Sequence, residues 1–167
     1  MSDNPQRDVD DESMTIVAWS GDLDRMWPAL ILGSTGAAYG MSTTIFFTFW
    51  GLFPLVRDDV RITGTDAMTK ALAGMNRPGM QHMKLSKLHL GGAGPWMMKK
   101  LARQKNVAHP AELVEMCTEM GVNLWPCEMS MDLLGVRHDQ LIEGVGEPVG
   151  AATALSAMSR SQISLFI

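Results

Sequence analysis

From Met26 to Val56 the chain carries no Asp, Glu, Lys or Arg. A charge-free run of that length belongs either in a bilayer or in a protein interior closed on all sides. Its internal composition separates the two. Met26 to Gly40 is rich in Ala, Gly and Leu, whereas Thr43, Thr44, Ile45, Phe46, Phe47, Thr48 and Phe49 form a β-branched and aromatic run. The switch across Gly40 reads as a buried helix followed by a buried parallel strand. Neither a Lys/Arg cluster nor paired aromatic belts flank the run, although its hydropathy by itself is that of a span.

The rest of the chain punctuates in the same way. Met14 to Trp19 is a short apolar run expected as a central strand, and Ser20-Gly21-Asp22 turns the chain into a helix over Leu23 to Tyr39. Pro28 lies in that helix's first two turns, and Gly40 stops it. The second strand is expected over Thr43 to Phe49, followed by a short helix or turn over Trp50 to Arg57. Asp66 to Met75 has a helical composition. Residues 76–95 are irregular, holding Arg77-Pro78-Gly79 and Gly91 to Pro95, and Trp96 to Gln104 resumes as a basic helix. His109-Pro110 opens a helix over Ala111 to Met120 that Gly121 ends. Val122 to Pro126 reads as a strand, Ser130 to Leu134 as the start of a helix, Val149 to Met158 as a small-residue, Ala-rich segment, and Gln162 to Ile167 as a closing strand. Alternating strands and helices predict an α/β fold with a parallel sheet covered on both faces.

A chain of 167 residues, 46% apolar and 19% charged, suits one domain, expected over 14–167 behind a disordered acidic tail over 1–13. The net charge of −4 argues against nucleic-acid binding. The polar, acidic Met1 to Glu12 segment has no secretory pattern, so the expected compartment is the reducing cytoplasm, where two cysteines stay free. Fifteen Met residues fill a core or an adaptable interface.

Cys127 is the most informative position. It stands where a strand ends and a helix begins, the rim at which open α/β sheets bind ligands. Unpaired amides at the start of that helix favour thiolate over thiol, and a thiolate there can take up sulfane sulfur as a persulfide. The alternative is an inert, half-buried cysteine. Cys117 shares a helix face with Leu113 and Met120, which suits packing; a second thiol that relays sulfur from Cys127 is the other reading.

Other chemistry lacks its motif. Two cysteines ten residues apart with the scattered His82, His89, His109 and His138 make no zinc pattern, so no metal is expected. Gly33, Gly36 and Gly40 lie inside a predicted helix and suit close packing rather than a dinucleotide fingerprint. No Gly-Lys-Ser/Thr follows Gly91 to Gly94, and no Gly-x-Ser-x-Gly elbow occurs; no cofactor is expected. Between Asp66 and Glu112 there is no acidic residue, while Lys70, Arg77, Lys84, Lys87, Lys99, Lys100, Arg103 and Lys105 fall there. This run is a solvated face, or a surface for an acidic partner or an anionic membrane.

Phe46-Phe47-Thr48-Phe49-Trp50-Gly51-Leu52, Lys84-Leu85-Ser86-Lys87, Gly94-Pro95-Trp96-Met97-Met98-Lys99-Lys100 and Cys127-Glu128-Met129-Ser130-Met131-Asp132 occur in this order. Together they resemble the larger branch of the DsrE/DsrF/TusD-like proteins, from about Met14 to the C-terminus. The resemblance implies a three-layer, doubly wound α/β/α fold around a mostly parallel sheet of about five strands, and homo-oligomers, often trimers or their multiples. It also implies sulfur transfer on cysteine, as persulfide or bound thiosulfate, often in exchange with TusA-like or rhodanese-like partners. Cys127 matches the family's Cys-x-Met-Ser cysteine, and Cys117 a second one that members often carry. Some members are described as membrane-associated. The expected function is a cytoplasmic sulfur carrier or sulfurtransferase, with or without turnover of its own. The alternatives are a non-catalytic subunit that docks a partner or membrane through the basic, Met-rich insertion near 76–95, and a thiol peroxidase-like redox protein.

Overall fold

Strand β1 (Asp10–Ala18) enters the middle of the sheet in a computed structural model that describes residues 10–60, 62 and 77–167. Helix α1 (Leu23–Ala38) and β2 (Ser42–Phe47) follow, then a 3-10 turn over Phe49–Leu55. Two 3-10 turns, Met80–His82 and Leu90–Gly92, precede α2 (Ala93–Gln104) and α3 (Pro110–Glu119). The chain ends with β3 (Asn123–Pro126), α4 (Glu128–Leu134), a turn over His138–Gln140, α5 (Ala151–Arg160) and β4 (Ser161–Phe166).

The four strands lie in the order β3-β2-β1-β4, and every pairing is parallel. Each parallel pair needs a crossover, which places helices on the sheet's faces. Side-chain alternation assigns the faces. Ile16, Ala18, Ile45, Phe47 and Leu124 point into the main core with α1 and α3, while Val17 and Phe46 point the other way, onto Ala154 of α5. The layers are therefore helix, sheet, helix.

The charge-free run resolves into α1, β2 and the following turn. No helix among the described residues is long and apolar enough to cross a membrane. Gly33 and Gly36 serve close packing: a Cβ on Gly33 would lie 2.5 Å from Ile45 Cδ1, and one on Gly36 would run into Met14 Cε. Gly40, at φ +94°, turns the chain out of α1.

Some boundaries differ from expectation. β1 begins at Asp10, inside the segment expected as tail, because Asp10 and Ser13 already pair with β4 and β2. β2 ends two residues early because the chain turns sharply at Phe49, φ +52°. Among the described residues the sheet has four strands rather than about five. Residues Val145 and Val149 bridge to Leu124 and Cys127 beside β3, but Pro148 lacks an amide donor and the ladder does not extend. Helix α2 starts at Ala93, three residues before Trp96. The helix expected over Asp66 to Met75 and residues 1–9 of the expected tail lie outside the described residues.

Candidate functional site

Cys127 is the N-cap of α4, at the carboxyl end of β3. Its backbone is held on three sides. The amide donates to the Phe47 carbonyl at 2.9 Å, the carbonyl accepts from Met131 at 2.9 Å, and the neighbouring Glu128 amide donates to Val149 at 3.1 Å. The side chain, 1% exposed, packs in the smaller cluster with Val17, Phe46 and Ala154.

Burial pushes a thiol up, but here it is outweighed. The Ser130 hydroxyl, the Thr48 hydroxyl and the amides of Ser130 and Met129 together hold Cys127 below the ordinary thiol value. The two hydroxyls form one unit: Thr48 Oγ1 and Ser130 Oγ are 3.1 Å apart, and Ser130 Oγ accepts the Phe49 amide at 2.8 Å. With a lone pair of Ser130 so occupied, its proton remains available to a sulfur anion. Phe49 adopts a left-handed conformation unusual for a bulky residue, which aims its amide at Ser130.

Cys117 lies elsewhere. It is fully buried in α3, its Sγ donates to the Leu30 carbonyl of α1 at 3.8 Å, and it belongs to the main core on the opposite sheet face. Desolvation alone pushes its thiol up to about 11. The structure does not bring the two cysteines together, and both are free thiols.

Sequence reasoning does not single out Thr48 and Ser130, although both stand within Phe46 to Leu52 and Cys127 to Asp132. The signal that finds them is their contact across the β2 and β3 ends. His138 and His109 are engaged elsewhere: His138 bonds the Gly146 carbonyl at 3.0 Å, and His109 is the N-cap of α3.

The geometry is an activated thiol between two strand ends, and known proteins share its sequence frame. The model of the DsrE/DsrF/DrsH-like family matches residues 10–166. The chain belongs to that family. Among its relatives, the uncharacterized protein YrkE of Bacillus subtilis is 36% identical over 153 residues, covering 92% of this chain and 95% of that protein. The sulfur carrier protein DsrE2 of Allochromatium vinosum is 33% identical over 170 residues, covering 95% of this chain and all of that protein. The family match spans β1 to β4 and so includes the whole frame that holds Cys127.

Proposed function

We propose that this family member is a sulfur carrier or sulfurtransferase that holds sulfur as a persulfide on Cys127. The observation that carries the reading is the hydroxyl pair Thr48–Ser130, which with two amides lowers the Cys127 thiol against its own burial. The likeness to a protein named sulfur carrier supports it. With thiosulfate as donor, the thiolate attacks the sulfane sulfur, a new S–S bond forms, and the donor's S–S bond breaks. Sulfite leaves with the electron pair, and the charge now sits on the persulfide's terminal sulfur. Onward, an acceptor thiolate, in our reading that of a TusA-like or rhodanese-like protein in the cytoplasm, attacks the persulfide's terminal sulfur; a new S–S bond forms, the old one breaks, and Cys127 leaves as the thiolate.

Cys117 enters this proposal as a packing residue, since its thiol is held neutral on the other sheet face. A homo-oligomer, a trimer or a multiple, is also proposed; Leu155, Ile163 and Phe166, exposed on α5 and the edge strand β4, are suited to such contacts. The test is intact mass after incubation with thiosulfate or polysulfide. The wild type is expected to gain the mass of one sulfur and Cys127→Ser to gain nothing. An unchanged wild type sinks the reading.

A second reading rests on α2. Trp96, Met97 and Leu101 are exposed there, and the Lys100 ammonium lies 5.2 Å from the Trp96 ring centre. An apolar and basic face of this kind suits docking to an anionic membrane or an acidic partner. It predicts binding to phosphatidylglycerol vesicles that weakens with salt and survives Cys127→Ser; no sedimentation with the vesicles excludes the membrane form.

A further inference from the structure

A cavity of about 320 Å³ opens at the carboxyl ends of β1 and β2, and none of Cys127, Thr48 or Ser130 lines it. Its walls include Trp19 and Trp50, and its polar side is formed by Arg25, Arg77, His82 and Lys84. We propose that this cavity binds a small molecule bearing an oxyanion group, at a site separate from the Cys127 thiol.

Charge carries the argument. Two guanidiniums and one ammonium face one space in which Asp22 is the only lining carboxylate among the described residues, and Asp22 already accepts the Ser20 hydroxyl at 3.2 Å. Among the described residues, ion pairs join Arg57 to Asp59 and Arg137 to Asp139, and none involves Arg25, Arg77 or Lys84. Like charges around one cavity repel, and an oxyanion relieves that repulsion while giving each donor an acceptor. The start of α1 does not supply the recognition. The Leu23 amide is taken by the Lys84 carbonyl at 2.7 Å, and those of Arg25 and Met26 by the Asp22 carbonyl. The side chains must do it.

The walls are also built in advance. The Gly79 amide donates to the Phe53 carbonyl at 2.9 Å, and the Lys84 carbonyl bonds Leu23. The Ser86 amide donates to Asp24 at 2.8 Å, and the Ser86 hydroxyl bonds the same carboxylate. These bonds pin the segment carrying His82 and Lys84 across the strand ends. Arg25 is steadied over the Trp19 ring, 5.4 Å from its centre. The space exceeds what one inorganic oxyanion fills, and two tryptophans offer apolar contact to an organic remainder.

Titration calorimetry on the full chain at low salt tests this with inorganic phosphate, sulfate and adenosine monophosphate as probes. At least one is expected to bind saturably, one per chain. Arg25→Gln with Lys84→Gln is expected to weaken that binding about tenfold or more, since each removes a charged hydrogen-bond donor. Lys105→Gln, a cation outside the cavity, and Cys127→Ser are expected to leave it unchanged. Tighter binding of adenosine monophosphate than of phosphate assigns the site to an organic phosphate; equal or tighter binding of the inorganic ions assigns it to them. Saturation by none of the three overturns the proposal, as does equal weakening by Lys105→Gln. Because Cys127→Ser retains the cavity, failure here and failure of sulfur loading are read independently.

Discussion

Ser130 Oγ accepts the amide of Phe49 at 2.8 Å, tying the first turn of α4 to the residue at which the chain leaves β2. The bond spans two strand ends, and its acceptor Ser130 is also a partner of the Cys127 thiol. The Thr48 hydroxyl lies 3.1 Å from Ser130 Oγ, and both hydroxyls are hydrogen-bond partners of the thiol. Both are in place before any sulfur arrives, so ionising the thiol requires no reorganisation of its partners.

The first consequence is a separation of the two thiols in pH. Alkylation by iodoacetamide, followed by peptide mass spectrometry, is expected to show Cys127 reacting with a midpoint below the range of an unperturbed thiol. Cys117 is expected to titrate near 11. Because Cys127 is 1% exposed, its limiting rate should lie below that of a free thiolate even where it is fully ionised. Equal midpoints for the two cysteines contradict the site as described.

Ser130→Ala removes the largest of the contributions that lower the Cys127 thiol. Its alkylation midpoint is expected to move upward, and the rate at neutral pH to fall by up to about tenfold for each unit of movement. The substitution also strips the Phe49 amide of its acceptor, at a cost of about 1–3 kcal/mol in urea unfolding. Thr48→Val should move the midpoint in the same direction by less. A Ser130→Ala midpoint equal to wild type means the hydroxyl does not reach the sulfur.

Much of this was legible in residues and spacing. The division of the charge-free run, the stop at Gly40, the start of α3 at Pro110 and the strand-to-helix junction at Cys127 all follow from local propensity and periodicity. What was not legible depends on register between distant segments. Thr48 and Ser130 are 82 residues apart and meet only because β2 and β3 pair in parallel with Phe47 opposite Pro126. The separation of the cysteines is a matter of parity and layer: Trp125 and Cys127 share a face with Phe46, while α3 carries Cys117 to the other. Cys117 on an apolar helix face could be read from sequence; which side of the sheet that helix covers could not. The left-handed Phe49 had no local signal, since neither Gly nor Asn marks it.

Gly51 controls the approach of the turn after β2 to the end of β1. Its amide donates to the Trp19 carbonyl at 3.0 Å, and a Cβ at this position would run into the Ala18 carbonyl oxygen. Gly51→Ala therefore forces backbone against backbone, with no flexible side chain to yield. A loss of about 2–4 kcal/mol in urea unfolding is expected, with a shift in the Cys127 alkylation midpoint because Thr48 and Phe49 move with the turn. Stability within about 0.5 kcal/mol of wild type would mean that the approach is not tight.

Cys117→Ala separates packing from sulfur chemistry. Loading of Cys127 by thiosulfate should be unchanged, because the two thiols occupy opposite faces. At neutral pH the variant loses the buried sulfur's contacts with α1 and is destabilised by about 1–2 kcal/mol. The pH dependence then gives a signature of its own. Folded, Cys117 keeps its proton up to about 11, whereas the unfolded thiol releases it from its ordinary value of 9.0. Over that window the unfolded state binds fewer protons, so wild-type stability falls as pH rises, by up to about 2–3 kcal/mol. The alanine variant lacks this component, so the gap between the two proteins in urea unfolding should narrow between pH 9 and 11, or reverse. A gap that stays constant across that range would mean that the Cys117 thiol is not held neutral by its burial.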